Sequence, residues 1–221
     1  MTVNRVILIR PGETDWNRQG RWQGQVASSL NDYGRAQAYS LSRFIRNIGL
    51  SALYSSASRR AVETARILAA ELGFEPIVDR RWCERDIGIW QGMTLDEIRA
   101  WDIETYKHLV ADRENYRVPE GESRADVRER VLAAFEDVLK EGRGSTIGIL
   151  THTTTTHVLL DSLLADYSID DTVIGNTAVT TLSHDDAGKW GLIALNDLSH
   201  LEGLKSRSVQ ELEQQDDTGD R

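Results

Sequence analysis

The sequence has a single cysteine, Cys83, which excludes an intrachain disulfide and points to a reducing compartment. Taken alone, that thiol reads as a small buried hydrophobe. No run approaches the roughly 18 apolar residues that span a bilayer, and the opening Met-Thr-Val-Asn-Arg carries no signal-peptide pattern. A soluble, cytoplasmic protein without a membrane partner is expected. Positive charge is in deficit: 26 Lys and Arg face 35 Asp and Glu, for a net charge of −9. That balance argues against a nucleic-acid partner, whose backbone needs clustered cations. It leaves room for a small phosphate ester, because a local arginine pocket can oppose the global sign. No internal repeat is visible. With 221 residues, 40% apolar and 28% charged, the chain suits one large α/β domain with a small cap.

The opening apolar run Val6-Ile7-Leu8-Ile9 ends in Arg10 and breaks at Pro11-Gly12 into a polar loop. A buried parallel strand emptying at its carboxyl edge has this pattern, and open α/β sheets bind ligands at that edge. Leu30-Asn31-Asp32 leads into a helix with Ala36, Leu41, Phe44, Ile45 and Ile48 on one face, stopped by Gly49. A short strand is expected over 50–54 and a helix over 58–72, closed by Gly73. Ile77-Val78 reads as a third strand and residues 83–93 as loop.

Thr94 with Glu97 forms a capping box for a helix reaching about Val110. Its mixed face suits a surface cap over about 94–122. Ser123 with Asp126 opens a second helix running to Gly142. Thr146–Leu150 is a strand with Thr151-His152-Thr153 as its exit, followed by a helix over 158–164. Val179–Leu182 and Trp190–Leu195 read as a hairpin around Asp185-Asp186-Ala187-Gly188. The acidic end, 205–221, reads as a disordered tail. Strands alternating with helices predict a three-layer α/β sandwich with a mostly parallel, doubly wound sheet. The domain would cover 1–204.

Three predicted strand exits carry anion-binding side chains: Arg10, Arg59-Arg60 and His152. If the strands are parallel neighbours, these gather above one sheet edge. Guanidinium forks and an imidazole around one point make a phosphate site. The helix starting near Ser58 would add N-terminal amides if its end points inward. Singly, an arginine at a strand end is most often a solvated surface residue, and a histidine there is more often structural than a ligand. His157 lies about 140° around a helix from His152, so the two do not share a face and a metal site is not expected.

The loop Arg10-Pro11-Gly12-Glu13-Thr14 with Trp16 and Asn17 closely resembles the signature of the histidine phosphatase (phosphoglycerate mutase-like) superfamily. Further matching pieces are Gly20-Arg21, Gln23-Gly24, Leu30, Gly34, Ser55-Ser56, Arg60-Ala61 and Thr64-Ala65. Glu84 ahead of Gly88, Trp90 and Gly92 follows, then Gly121-Glu122-Ser123, Thr151-His152, Asn176 and His200-Leu201. The resemblance implies that Arg10, Arg60, His152 and Asn17 contact a phosphoryl group. It implies Glu84 as general acid, and Gln23, Gly24 and Thr153 beside the substrate. No metal or organic cofactor is implied. The ligand would be a small phosphorylated molecule or inorganic phosphate, and a monophosphate rather than a heavily phosphorylated one, because no run of extra basic residues is evident.

In that family a histidine attacks phosphorus and becomes a phosphohistidine. Pro11 occupies its position. A prolyl nitrogen is a tertiary amide with no available lone pair, and the ring carries no other nucleophile. The extended conformation expected of Arg10 tolerates a following proline, so the fold survives the change while the covalent step does not. Ala27, Ser29, Ala57, Ser58, Gln91, Thr153 and His157 also depart from the family's usual residues. Three readings remain: a phosphate-binding protein without phosphohistidine chemistry, a phosphatase using water or another nucleophile with Glu84 as acid, and a structural subunit. The last would partner an active relative; a homodimer is the other association expected of the chain.

Overall fold

A computed structural model describes residues 2–167, 173–185 and 188–204. The expected tail and the tip of the expected hairpin lie outside them. Along the chain come β1 (Arg5–Ile9), α1 (Asp15–Arg18), α2 (Asp32–Ile45), β2 (Ala52–Ser55), α3 (Arg59–Leu72) and β3 (Ile77–Val78). Then follow α4 (Leu95–Trp101), α5 (Ile103–Ala111), α6 (Arg124–Glu141), β4 (Thr146–Leu150), α7 (Thr153–Leu163), β5 (Val179–His184) and β6 (Trp190–Asp197).

The six strands form one mixed sheet in the order β3-β2-β4-β1-β5-β6. β3, β2, β4 and β1 are mutually parallel, and β5 and β6 continue the sheet antiparallel as the expected hairpin. Alternation along β1 divides the core. Val6 and Leu8 face α6 and α7 through Val131, Phe135, Val158 and Leu159. Ile7 and Ile9 face α2 and α3 through Leu41, Ile45, Ala61 and Leu68. Helices thus cover both faces. Among the described residues no helix is long and apolar enough to cross a membrane.

Both capping boxes form, at Thr94 with Glu97 and at Ser123 with Asp126, and Gly73 and Gly142 close their helices in the left-handed region. Two expected helices differ. The one expected from Thr94 to about Val110 is broken at Asp102, whose backbone leaves the helical region at φ −142°, ψ 55°. Its carboxylate accepts from Trp90 Nε1 at 3.1 Å and from the Thr105 amide at 3.4 Å, so one residue ends α4 and caps α5. Around that corner Trp90, Ile98, Leu109 and Val118 make a small separate core. Trp101, by contrast, is 62% exposed.

The second difference is α7, which begins at Thr153 rather than near Val158. Four consecutive threonines are poor helix formers, and tertiary bonds override that preference. Thr151 Oγ1 donates to Trp82 O and Thr155 Oγ1 to Cys83 O. The strand expected over 50–54 is displaced to Ala52–Ser55, and a 3₁₀ turn, Gly88–Trp90, lies inside the expected loop.

Candidate functional site

Sheet register brings the site together. Ile9 pairs with Leu150, and Leu150 pairs with Ser55, so β1, β4 and β2 end level with one another. The next residues, Arg10, Thr151-His152 and Ser56, therefore emerge at one carboxyl edge, where a cleft of about 690 Å³ opens. Its lining includes Arg10, Pro11, Asn17, Gln23, Gly24, Arg60, Glu84, His152 and Thr153, which is every site residue expected from the sequence. Of the adjacent pair, Arg60 turns inward and is buried, while Arg59 is exposed.

Arg60 is heavily engaged in the free protein. Nη2 donates to Gly24 O at 2.9 Å and to His152 Nδ1 at 3.3 Å; Nη1 donates to Val26 O at 3.2 Å and Ser28 Oγ at 3.3 Å. Because a guanidinium only donates, His152 Nδ1 must accept. The histidine proton then sits on Nε2, which faces Ser56 Oγ at 2.8 Å and Ser58 Oγ at 3.1 Å. Burial holds the His152 pKa well below its ordinary 6.5, and the cations Arg60, Arg10 and Arg130 push it the same way. A neutral imidazole is thus wedged beside two arginines. Burial likewise lowers the pKa of Arg10 and Arg60, and the Glu84 carboxylate opposes that shift in both. Both remain cations.

Glu84 is anchored by the main chain: Oε1 accepts from the Arg85 amide at 2.7 Å and Oε2 from the Thr154 amide at 3.2 Å. The second donor belongs to the first turn of α7. The Ser58 amide, just ahead of α3, bonds Ser56 Oγ, and Thr153 and Thr154 in the first turn of α7 line the cleft. Asn17 is the N3 partner in the box capped by Thr14. Its Oδ1 accepts from the Thr14 amide, Thr14 Oγ1 and Asn176 Nδ2, which leaves Nδ2 as the group it could offer an anion. Gln23 Oε1 accepts from Ser28 Oγ, and Gly24 has φ +53°, which places its carbonyl on Arg60. His157 bonds Tyr167 Oη through Nδ1 at 2.6 Å, and it does not line the cleft.

Several contributors were not read from the sequence. Ser56 and Ser58 hold the far side of His152. Arg130 pairs with Glu122 and donates to the carbonyls of Arg81, Cys83 and Glu84, so it braces the segment that carries Glu84. The basic lining is also larger than expected: Arg21, Arg85, Arg113 and Arg124 reach the cleft from separate segments. No run of basic residues announces them, and the argument for a monophosphate from a missing run loses its premise. Tyr106, Leu109 and Val110 of α5 add an apolar part to the lining.

Comparison with known proteins matches residues 6–198 to the histidine phosphatase superfamily, branch 1. Phosphoglycerate mutase-like protein 4 of Arabidopsis thaliana is 32% identical over 200 residues, covering 89% of this chain and 86% of that protein. The structure of a mycobacterial glucosyl-3-phosphoglycerate phosphatase with inorganic phosphate superposes at TM-score 0.76 and 25% identity, over 90% of this chain and 99% of that one. A phosphoserine phosphatase from Entamoeba histolytica, solved as a histidine-to-alanine mutant with phosphoserine, gives TM-score 0.79 and 27% identity, over 89% and 98%. The chain belongs to the histidine phosphatase superfamily, branch 1.

Proposed function

We propose that this protein binds small phosphate monoesters or inorganic phosphate at the strand-exit cleft and has lost phosphohistidine-based phosphoryl transfer. The observation that carries the reading is the setting of Pro11. It lines the cleft with Arg10, Arg60 and His152, so the two guanidiniums that would hold phosphoryl oxygens share the cleft with a residue that has no nucleophilic atom. In phosphoryl transfer the protein's work is positioning and charge stabilisation around an in-line nucleophile. Here the charge stabilisation is retained and the nucleophile position is blank. The mutant phosphoserine phosphatase, crystallised with phosphoserine, supports the idea that this fold holds a phosphorylated ligand after loss of a histidine.

The arrangement assigns roles to the other residues. Arg10 and Arg60 would take the equatorial oxygens, Asn17 Nδ2 a further one, and His152 would join them as a donor once protonated on Nδ1. Gln23, Gly24 and Thr153 would flank the ester group, with the apolar α5 residues covering its carbon skeleton. No step requires a metal or organic cofactor. The lone Cys83 fits a reducing, cytoplasmic setting.

A second reading keeps hydrolysis, with water attacking the clamped phosphoryl group and Glu84 protonating the leaving oxygen. Glu84 does face the cleft, yet both its oxygens are already acceptors of main-chain N–H groups. Titration calorimetry with inorganic phosphate and phosphoserine, run beside an aryl phosphate assay, separates the two readings. Saturable binding at or below millimolar levels without turnover is expected. Absence of binding at millimolar ligand would overturn the clamp. Turnover that persists through purification and disappears in His152→Ala would favour hydrolysis.

A further inference from the structure

His200 and Thr177 stand outside the chemistry just described, and the geometry around them is unusual. Thr177 has φ +60°, in the left-handed region that a β-branched side chain rarely enters. Such a conformation persists only where neighbouring bonds over-determine it. The bonds are all visible. The Thr177 amide is shared between Arg10 O at 3.1 Å and Pro11 O at 3.2 Å. Its hydroxyl donates to Asn176 O at 2.6 Å, so its remaining partner, His200 Nε2 at 3.0 Å, must be the donor.

His200 is itself fixed. Ser40 Oγ of α2 donates to the His200 carbonyl, and the Phe44 ring lies 5.6 Å from the imidazole. Among the described residues Nδ1 is buried without a hydrogen-bond partner, as expected of the tautomer with its proton on Nε2. On the cleft side, the segment that Thr177 belongs to wraps the exit of β1. Ile174 O accepts from Arg10 Nη1, and Asn176 Nδ2 donates to Pro11 O at 3.1 Å and Asn17 Oδ1 at 3.3 Å. Arg10 and Pro11 are therefore held on the main chain by Thr177 and at the guanidinium by Ile174.

We propose that His200 is a positioning residue: through its bond to Thr177 it holds the 174–177 segment over β1, and so fixes the aim of the Arg10 guanidinium in the cleft. The His200 ring does not line the cleft, and its effect reaches the ligand only through this relay. The consequence for affinity rests on the phosphate-binding reading above; the consequence for the free protein does not.

Three variants test it. His200→Leu removes the donor and keeps an apolar filler against Phe44. Thr177→Val removes the hydroxyl and keeps the branched shape. His200→Gln offers an amide donor near the position of Nε2. Amide hydrogen exchange over 174–178 in the free protein should accelerate several-fold in His200→Leu and Thr177→Val and return towards wild type in His200→Gln. The dissociation constant for inorganic phosphate should rise roughly three- to tenfold in the first two, as expected for one lost hydrogen bond. It should recover in the third. The double variant should be no worse than either single, since both cut one bond.

Unchanged exchange in His200→Leu, or His200→Gln behaving like His200→Leu, would overturn the positioning role. A wild-type protein that fails to bind phosphate would overturn the binding reading alone, and the exchange result would still decide the relay.

Discussion

Replacing Arg60 with methionine keeps most of the side-chain length and removes the guanidinium. In the free protein that group reaches Gly24 O, Val26 O, Ser28 Oγ and His152 Nδ1. Two of these are main-chain carbonyls in the loop that lines the cleft. Leaving a buried acceptor unpaired costs on the order of 1–3 kcal/mol. With Gly24 buried and Val26 half-buried, Arg60→Met should lower stability by about 2–4 kcal/mol, measurable by urea unfolding. Phosphate affinity should fall further than packing alone explains, because a charge-assisted bond contributes about 1.5–3 kcal/mol. That range corresponds to roughly 10- to 150-fold in the dissociation constant. Arg60→Lys keeps the charge and loses the fork, so it should fall between wild type and Arg60→Met. The assay is titration calorimetry on variants shown to be folded by circular dichroism. A folded Arg60→Met that binds phosphate as tightly as wild type would refute the assignment of Arg60 to the clamp.

Three further outcomes follow from the same geometry. An anion bound between Arg60 and His152 takes both as donors, so Nδ1, an acceptor in the free protein, must carry a proton; where Nε2 stays the donor to Ser56 Oγ, the ring takes up a proton on binding. Sulfate does not titrate in the useful range; its affinity should rise as pH falls from 8 to 5.5, with proton uptake seen by calorimetry in buffers of different ionisation enthalpy. His152→Gln should abolish that uptake. The pKa of His152 in the fold lies below its unfolded value of about 6.5, so the unfolded chain binds more protons between the two. Stability should therefore decline as pH falls below about 6.5, and the decline should be shallower in His152→Gln; identical slopes would contradict the buried neutral imidazole. Finally, a Cβ on Gly34 would come within 2.1 Å of Glu13 O, so Gly34→Ala must push the 12–14 loop off α2. A loss of roughly 1–3 kcal/mol in a urea melt is expected.

What was legible in the sequence depended on where the information is stored. β1 could be read because Val6–Ile9 is wholly apolar and is followed by Arg10 and a break at Pro11-Gly12, and α6 because Ser123, Asp126 and Gly142 mark its two ends. The meeting of Arg10, Arg60 and His152 needed β1, β4 and β2 to be parallel neighbours, and the register of Ile9, Leu150 and Ser55 meets that condition. The start of α7 was hidden because Thr151, ahead of the helix, and Thr155, in its first turn, are held by carbonyls of the distant 82–83 segment. The break at Asp102 depends on Trp90, twelve residues away. The basic lining was invisible for a related reason: Arg21, Arg85, Arg113 and Arg124 are scattered in sequence and converge only when the chain folds. Thr177 gave no signal, since a positive φ at a threonine is imposed by its neighbours.

The central claim is that the cleft is a phosphate clamp lacking only its nucleophile. Steady-state hydrolysis of p-nitrophenyl phosphate by wild type and by folded Pro11→His, measured side by side, tests it most directly. Removing a catalytic nucleophile elsewhere costs on the order of a million-fold in turnover. The account predicts wild type at the uncatalysed rate and Pro11→His faster by orders of magnitude, with a phosphohistidine detectable on rapid quenching. Wild-type turnover equal to that of the variant, or a well-folded Pro11→His that stays inert, would contradict it.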